Sequence, residues 1–348
     1  MDATAIPGAW KKPLWQGLAI AALWGLAYMF APLAPFLALA LPLFVCPAFA
    51  QGRAWFALLM PLAPATAYFA AGGDTALSLL IPLCPYLCLL VQALGRRYRL
   101  DLHAETAAYA AAFAAGAVGM LLRLGVMLGG PLFTQLADTA VNAVQQSVTG
   151  GNLLYKLVSL GYLTVPDAYA DTAAIQLGNL ILIAPSLRRE LLNMLRLRLT
   201  EGLTGWIPSL LVQGAILVGL FSALRTERVR ARKAGDAPPR FAALRLTRGE
   251  QGAMLVLCVA TLLTAFSDDA FLSLLSSLTY AGFSTVYQLL GAAVLITLLS
   301  ARHPERAALY GLIAALLYLV FSVGLFMLGV VDQFIHLRDA GPNMPKEE

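Results

Sequence analysis

The sequence of 348 residues predicts an all-α fold, a polytopic helical transmembrane protein with eight or nine membrane helices and an amphipathic helical insertion in the middle. Three observations predict it. Hydrophobic residues make up 59% of the chain and charged residues 12%, and the mean hydropathy is +0.74, so too little polar surface is left to coat a water-soluble particle. Apolar runs approaching the roughly 20 residues that a membrane-crossing helix needs recur along the chain. Short clusters of Arg, Gly, Asp and Pro separate these runs and mark the turns between them.

The N-terminal region, 1–128, holds five runs. The first, 14–30, follows Lys11 and Lys12 without a small-residue cleavage site in a polar setting, so it reads as a retained helix. The second, 31–50, carries Pro32, Pro35, Pro42 and Pro47, which predict a short, kinked or partly re-entrant helix, because each proline lacks the amide that an unbroken helix needs. Gln51-Gly52-Arg53 turns the chain into 54–71, and Gly72-Gly73-Asp74 turns it back into 77–94, which ends at Gly95-Arg96-Arg97-Tyr98-Arg99. The fifth run, 107–128, is crowded with small residues. Its pairs Ala112/Gly116 and Ala115/Gly119 stand four residues apart, a spacing that lets a second helix come close, and packing within the chain is the expected use.

The texture changes over 129–205. Asp138, Asn142, Gln145, Gln146, Lys156, Asp167 and Asp171 interrupt the apolar residues, with turns expected at Gly150-Gly151 and Val165-Pro166-Asp167. Within it, 187–203 sets Leu187, Leu191, Leu192, Leu195, Leu199 and Leu203 on one helical face and Arg188, Arg189, Glu190, Asn193, Arg196 and Glu201 elsewhere, which is the pattern of a helix lying at an interface. The C-terminal region, 206–348, supplies a span at 206–224, a basic connector at 225–250, and spans at 252–266, 272–299 and 307–331. The positive-inside rule puts the basic connector, with Arg225, Arg228, Arg230, Arg232, Lys233, Arg240, Arg245 and Arg248, in the cytoplasm, and with it an extracytoplasmic 129–205.

The chemistry is sparse. A pI near 9.1 and a net charge of +5 are explained by topology, since the basic residues sit in short connectors beside apolar runs, and nucleic acid is not an expected partner. No phosphate-cradling Gly-rich loop, HExxH or GxSxG is present, and the three histidines, His103, His303 and His336, lie at run ends, so no enzyme, catalytic residue or cofactor is expected. Cys46, Cys84, Cys88 and Cys258 all fall in apolar runs as small hydrophobes. Cys84 and Cys88 stand one turn apart, but with no histidine beside them they make an incomplete metal site, so none is expected.

Ionisable groups inside membrane runs are the default functional signal. Arg123 is one, read either as a side chain reaching the interface or as a ligand contact. Asp332 ends the last run with Arg338 and Asp339 beyond it, positions suited to a cap, an ion pair or a partner contact. Trp24, Tyr28, Tyr68, Tyr86, Tyr109, Tyr280, Tyr287 and Gln288 are read either as a cavity lining or as belt and packing residues.

Taken together, the Pro-rich 31–50, the run after Gly52-Arg53 and the run ending in Gly95-Arg96-Arg97 resemble the N-terminal half of the YybS-type predicted membrane proteins, itself similar to the substrate-binding S component of energy-coupling factor transporters. Ile207-Pro208-Ser209 with Pro238-Pro239-Arg240-Phe241 resembles the family's middle section, and Gly329-Val330-Val331-Asp332-Gln333-Phe334 with Arg338 its C-terminal signature, from which Gln333 and His336 depart. The resemblance implies a multi-pass protein of a bacterial cell membrane that contacts lipid and takes part in uptake of a small-molecule solute, with an ATPase and a coupling membrane subunit as partners. In that class small residues of the first helix make the coupling contact, and Ala27, Ala31 and Ala34 have compatible spacing here. The alternative is a non-catalytic scaffold or regulator of cell-envelope or sporulation proteins, working through 225–250 and the amphipathic region.

Overall fold

The computed structural model describes residues 18, 21–22, 24–31, 34–98, 100–166, 175–177, 180–267 and 269–338. The expected first run is described only in part, and Arg99, Asp167, Asp171, Asp268 and Asp339 lie outside the described residues. What is described is helical apart from one short hairpin.

Proline dictates the N-terminal pattern. The second run is two helices, α1 (Ala34–Ala38) and α2 (Pro42–Ala50), and the third is likewise divided into α3 (Ala54–Leu59) and α4 (Leu62–Ala70). Pro42 opens α2, where its missing N–H costs nothing, while Pro61 sits at the break before α4. Asp74 caps α5 (Thr75–Leu80) by accepting from the Leu77 amide at 2.7 Å, and α6 (Leu83–Tyr98) continues it. Then comes α7 (Leu102–Met127), whose Gly116 leaves room for the Cys84 backbone 2.8 Å from where a Cβ would stand. Of the two small-residue pairs, Ala112 and Gly116 are buried at this contact and Ala115 is exposed.

The chain divides into two compact units, Leu121–Pro208 and the remainder. The first of these contains α8 (Leu132–Gln146), α9 (Gly150–Ser159), the antiparallel strands β1 (Ile175–Leu177) and β2 (Leu180–Leu182), and the start of α10 (Pro185–Ala234). Its core is Val141, Leu154, Leu163, Leu187, Leu191, Leu192 and Leu195, so the leucine face read as amphipathic is covered by protein. Arg196 pairs with Asp138 at 2.5 Å and Arg188 donates to the Gln145 carbonyl at 2.9 Å, while Asn152 Oδ1 accepts from the Ile181 amide at 2.6 Å.

In the other unit, α10 passes straight through the expected break at Arg225 and stays helical to Ala234. Nothing in Arg225–Lys233 opposes helix, and Gly235, with φ of +83°, is the first residue that stops it. A capping box, Thr247 with Glu250, then starts α11 (Arg248–Ala265), and Asp269 caps α12 (Ala270–Arg302) through the amides of Phe271 and Leu272. α13 (Ala307–Val320) and α14 (Ser322–Ile335) follow, bent against each other by 113°. Gly291 on α12 and Gly329 on α14 face each other so closely that a Cβ on either would strike the other helix's backbone.

By length and composition, Thr75–Tyr98, Leu102–Met127, Pro185–Ala234 and Phe271–Ala301 are apolar enough to cross a membrane, and the bent pair α13–α14 makes a fifth if it counts as one span. Many large apolar side chains on them face outward, among them Leu122, Leu210, Phe271 and Val320, as lipid-facing helices require.

Candidate functional site

Two arrangements within the larger unit bring polar groups together. The first grows from Glu105. Because α7 begins at Leu102 and not at 107, Glu105 and Tyr109 lie one turn apart on one face, and the Tyr109 hydroxyl donates to Glu105 Oε1 at 3.0 Å. Arg230, carried there by the extension of α10, grips the fully buried carboxylate with both terminal nitrogens, Nη1 to Oε2 at 2.9 Å and Nη2 to Oε1 at 3.0 Å, and also donates to Glu227. Nearby, Gln92 Nε2 donates to the Cys46 carbonyl at 3.0 Å, and its Oε1 and the Ser222 hydroxyl are buried without a partner. Neighbouring basic residues hold both ends of α2: Arg225 donates to the Leu43 carbonyl at 2.9 Å and Lys233 to that of Ala50 at 2.7 Å. The arrangement ties α2, α6, α7 and α10 together.

The second arrangement is a cavity of about 1330 Å³ between α10, α12 and α13. α10 and α12 run in the same direction here: Ser209, midway along α10, meets Ser277, near the start of α12, at 2.8 Å, and Leu220 and Leu224 pack with Leu289, Leu290 and Ala293 further on. α13 returns antiparallel, placing Ala314 against Ala292. One end of the cavity is therefore Leu217, Leu289 and Leu319, and the other is Arg228, Arg240, Ser300 and the first residues of α13. The wall at the arginine end is the turn Phe241–Ala243, held by Thr297 donating to the Ala242 carbonyl at 3.0 Å and by Phe221 stacked on Phe241 at 6.1 Å.

Arg338 completes that wall. Left-handed backbone at His336, φ 52°, ends α14 and folds the chain back, so that Arg338 donates to Asp332 Oδ2 from Nε at 3.0 Å and Nη2 at 2.7 Å, and from Nη1 to the Leu244 carbonyl at 2.5 Å. Asp332 and Arg338 are both buried, and the pair pins the end of α14 to the turn before α11.

The other sequence-selected residues are dispersed. Ala27 is buried, Ala31 half-buried and Tyr28 exposed, and Arg123, half-buried, belongs to the Leu121–Pro208 unit. None of the eight aromatic and amide candidates lines the cavity; Tyr86 donates to the Leu58 carbonyl at 3.0 Å, Tyr109 joins Glu105, and Tyr287 packs edge-on against Phe283 and Phe326. The tyrosine that lines it is Tyr318. Sequence reading passed over Glu105 and Gln92 and took Arg230 only as part of a basic connector; the signal available was the four-residue spacing of Glu105 and Tyr109 at the edge of an apolar run. Among the described residues no group of three or more His, Cys, Asp or Glu side chains is placed to hold a metal. No family model, curated protein or solved structure matches this chain.

Proposed function

We propose that this chain is a non-enzymatic, multi-pass protein of a bacterial cell membrane that binds a membrane-soluble organic solute for transport, with the cavity between α10, α12 and α13 as its seat. The observation that carries the reading is the cavity itself. Ligand pockets run to about 300–1,000 Å³ and are predominantly apolar with a few placed polar groups, and this one, somewhat larger at about 1330 Å³, combines walls of Leu, Ala, Ile and Phe with its charged groups gathered at one end. An ATPase and a coupling membrane subunit are the partners this reading adds, because the chain has no phosphate-cradling loop of its own. A count of eight or nine passes belongs to the same proposal: it requires the broken pairs Ala34–Ala50 and Ala54–Ala70, and also Arg248–Ala265, each to cross. The basic end of α10 is then cytoplasmic.

The scaffold alternative draws less support, because much of the basic segment is already engaged inside the chain. Arg225, Arg228, Arg230 and Lys233 each donate to a carbonyl or carboxylate of the same molecule.

Gly311 supplies the test. It lines the cavity and has nothing within 4 Å of where a Cβ would stand, so the first atom of a Gly311→Trp side chain meets open space and the indole takes up room beside the cavity wall. Apolar organic solutes, such as quinones, terpenoids and fatty alcohols, are titrated against the detergent-purified full chain in a thermal-shift assay. At least one class is expected to raise Tm saturably, by the equivalent of about 2.7 kcal/mol at a hundred times its Kd, and Gly311→Trp is expected to abolish the rise. No response to any class, or a response that survives the tryptophan, counts against the proposal.

A further inference from the structure

Resting on the reading of the cavity as a ligand seat, we infer that its occupant is a phosphate-headed anionic lipid, bound with its headgroup between Arg228 and Arg240 and its tail along α12 and α13 toward Leu319. The cavity is graded in charge from end to end. Its far end, at Leu217, Leu289, Tyr318 and Leu319, is uncharged, with the Tyr318 hydroxyl as its polar atom, whereas its near end carries two guanidinium groups. From Ala307 to Leu319 the helical rise is about 18 Å, more than half of the roughly 30 Å hydrocarbon core of a bilayer, so the slot has the length of a lipid tail and not of a compact polar solute.

Charge selects the head. Arg338 is spent on Asp332 and on the Ala242 and Leu244 carbonyls, but Arg228 and Arg240 meet no carboxylate among the described residues. Arg228 is half-buried, its Nε is fixed on the Pro239 carbonyl at 3.0 Å, and the charges that act on it come from Arg232 and Arg225, both of its own sign. Such a site favours an anion. A phosphate offers more acceptor oxygens to two forked guanidinium groups than a carboxylate does. Ser300 lines the same end with its hydroxyl buried and without a hydrogen-bond partner, which is an independent sign that a polar atom belongs there.

The experiment compares three probes on the full chain in neutral detergent, reading Tm and the lipid retained through size exclusion: dioleoylphosphatidylglycerol, the uncharged dioleoylglycerol, and inorganic phosphate. Dioleoylphosphatidylglycerol is expected to stabilise saturably, with an apparent Kd at least tenfold weaker in Arg228→Gln/Arg240→Gln and recovered by the two Lys variants; Gly311→Trp is expected to lose it altogether. Should the double Gln variant fold poorly, Arg240→Glu, in an exposed turn, is the substitute and is expected to lose the same retention. Equal binding of the uncharged lipid with no effect of the arginine variants overturns the lipid-phosphate assignment and leaves the cavity reading standing. Inorganic phosphate reproducing the full effect overturns the lipid part. No response to any probe, with Gly311→Trp indistinguishable from the parent, removes both.

Discussion

Asp332 and Arg338 are nearly inaccessible to solvent, and neither ion is tolerable there without the other. Their value is positional: six residues apart across a left-handed turn, they convert the end of α14 into a clamp on Ala242 and Leu244. Removing one partner strands the other, so Asp332→Ala is expected to cost about 3–5 kcal/mol, read as a lower Tm in detergent. A parent-like Tm would show the pair to be incidental. Glu105 belongs to the same class but is better insured, since Arg230 keeps Glu227 and Tyr109 can donate to an amide oxygen. Glu105→Gln is therefore expected to be milder, about 1.5–3 kcal/mol, and a loss as large as that of Asp332→Ala would contradict this ranking.

At the scale of elements, the prolines and caps decide where helices begin and end, and small residues decide how near they come. The α12–α14 crossing is a close backbone approach, with Gly291 and Gly329 back to back. Gly329→Leu forces the two helices apart and is expected to cost more than the roughly 1–3 kcal/mol typical of overpacking, read as a lower Tm, whereas Gly311→Leu, with open space at its Cβ, is expected to leave Tm unchanged or raise it. The pair of measurements separates backbone contact from helix propensity. Much of this level was legible from sequence: the breaks at 31–50, the turn at Gly72-Gly73-Asp74 and the Ala112/Gly116 contact all follow from local chemistry. The continuation of α10 to Ala234 was not, because a run of arginines reads as a connector although arginine is a good helix former.

For the whole molecule, apolar surface is the governing fact. With outward-facing Leu, Phe and Val on the long helices and a mean hydropathy of +0.74, the chain needs an apolar solvent. Stripping detergent from the purified protein, without lipid to replace it, is expected to drive it into aggregates within one size-exclusion run. A monodisperse species eluting in plain buffer would refute its placement in the membrane.

The sequence by itself determined the apolar solvent and the helical class, because both depend on neighbours in the chain: apolar runs of membrane length, prolines that break them and acidic or hydroxyl caps that start them. Only the tertiary structure decided which polar groups meet. Glu105 and Arg230 are 125 residues apart, and the cavity draws its walls from α10, α12 and α13 and its polar end from a turn between the first two. No periodicity encodes such a meeting, since it depends on how helices cross, and crossings are set by contacts between residues distant in the chain.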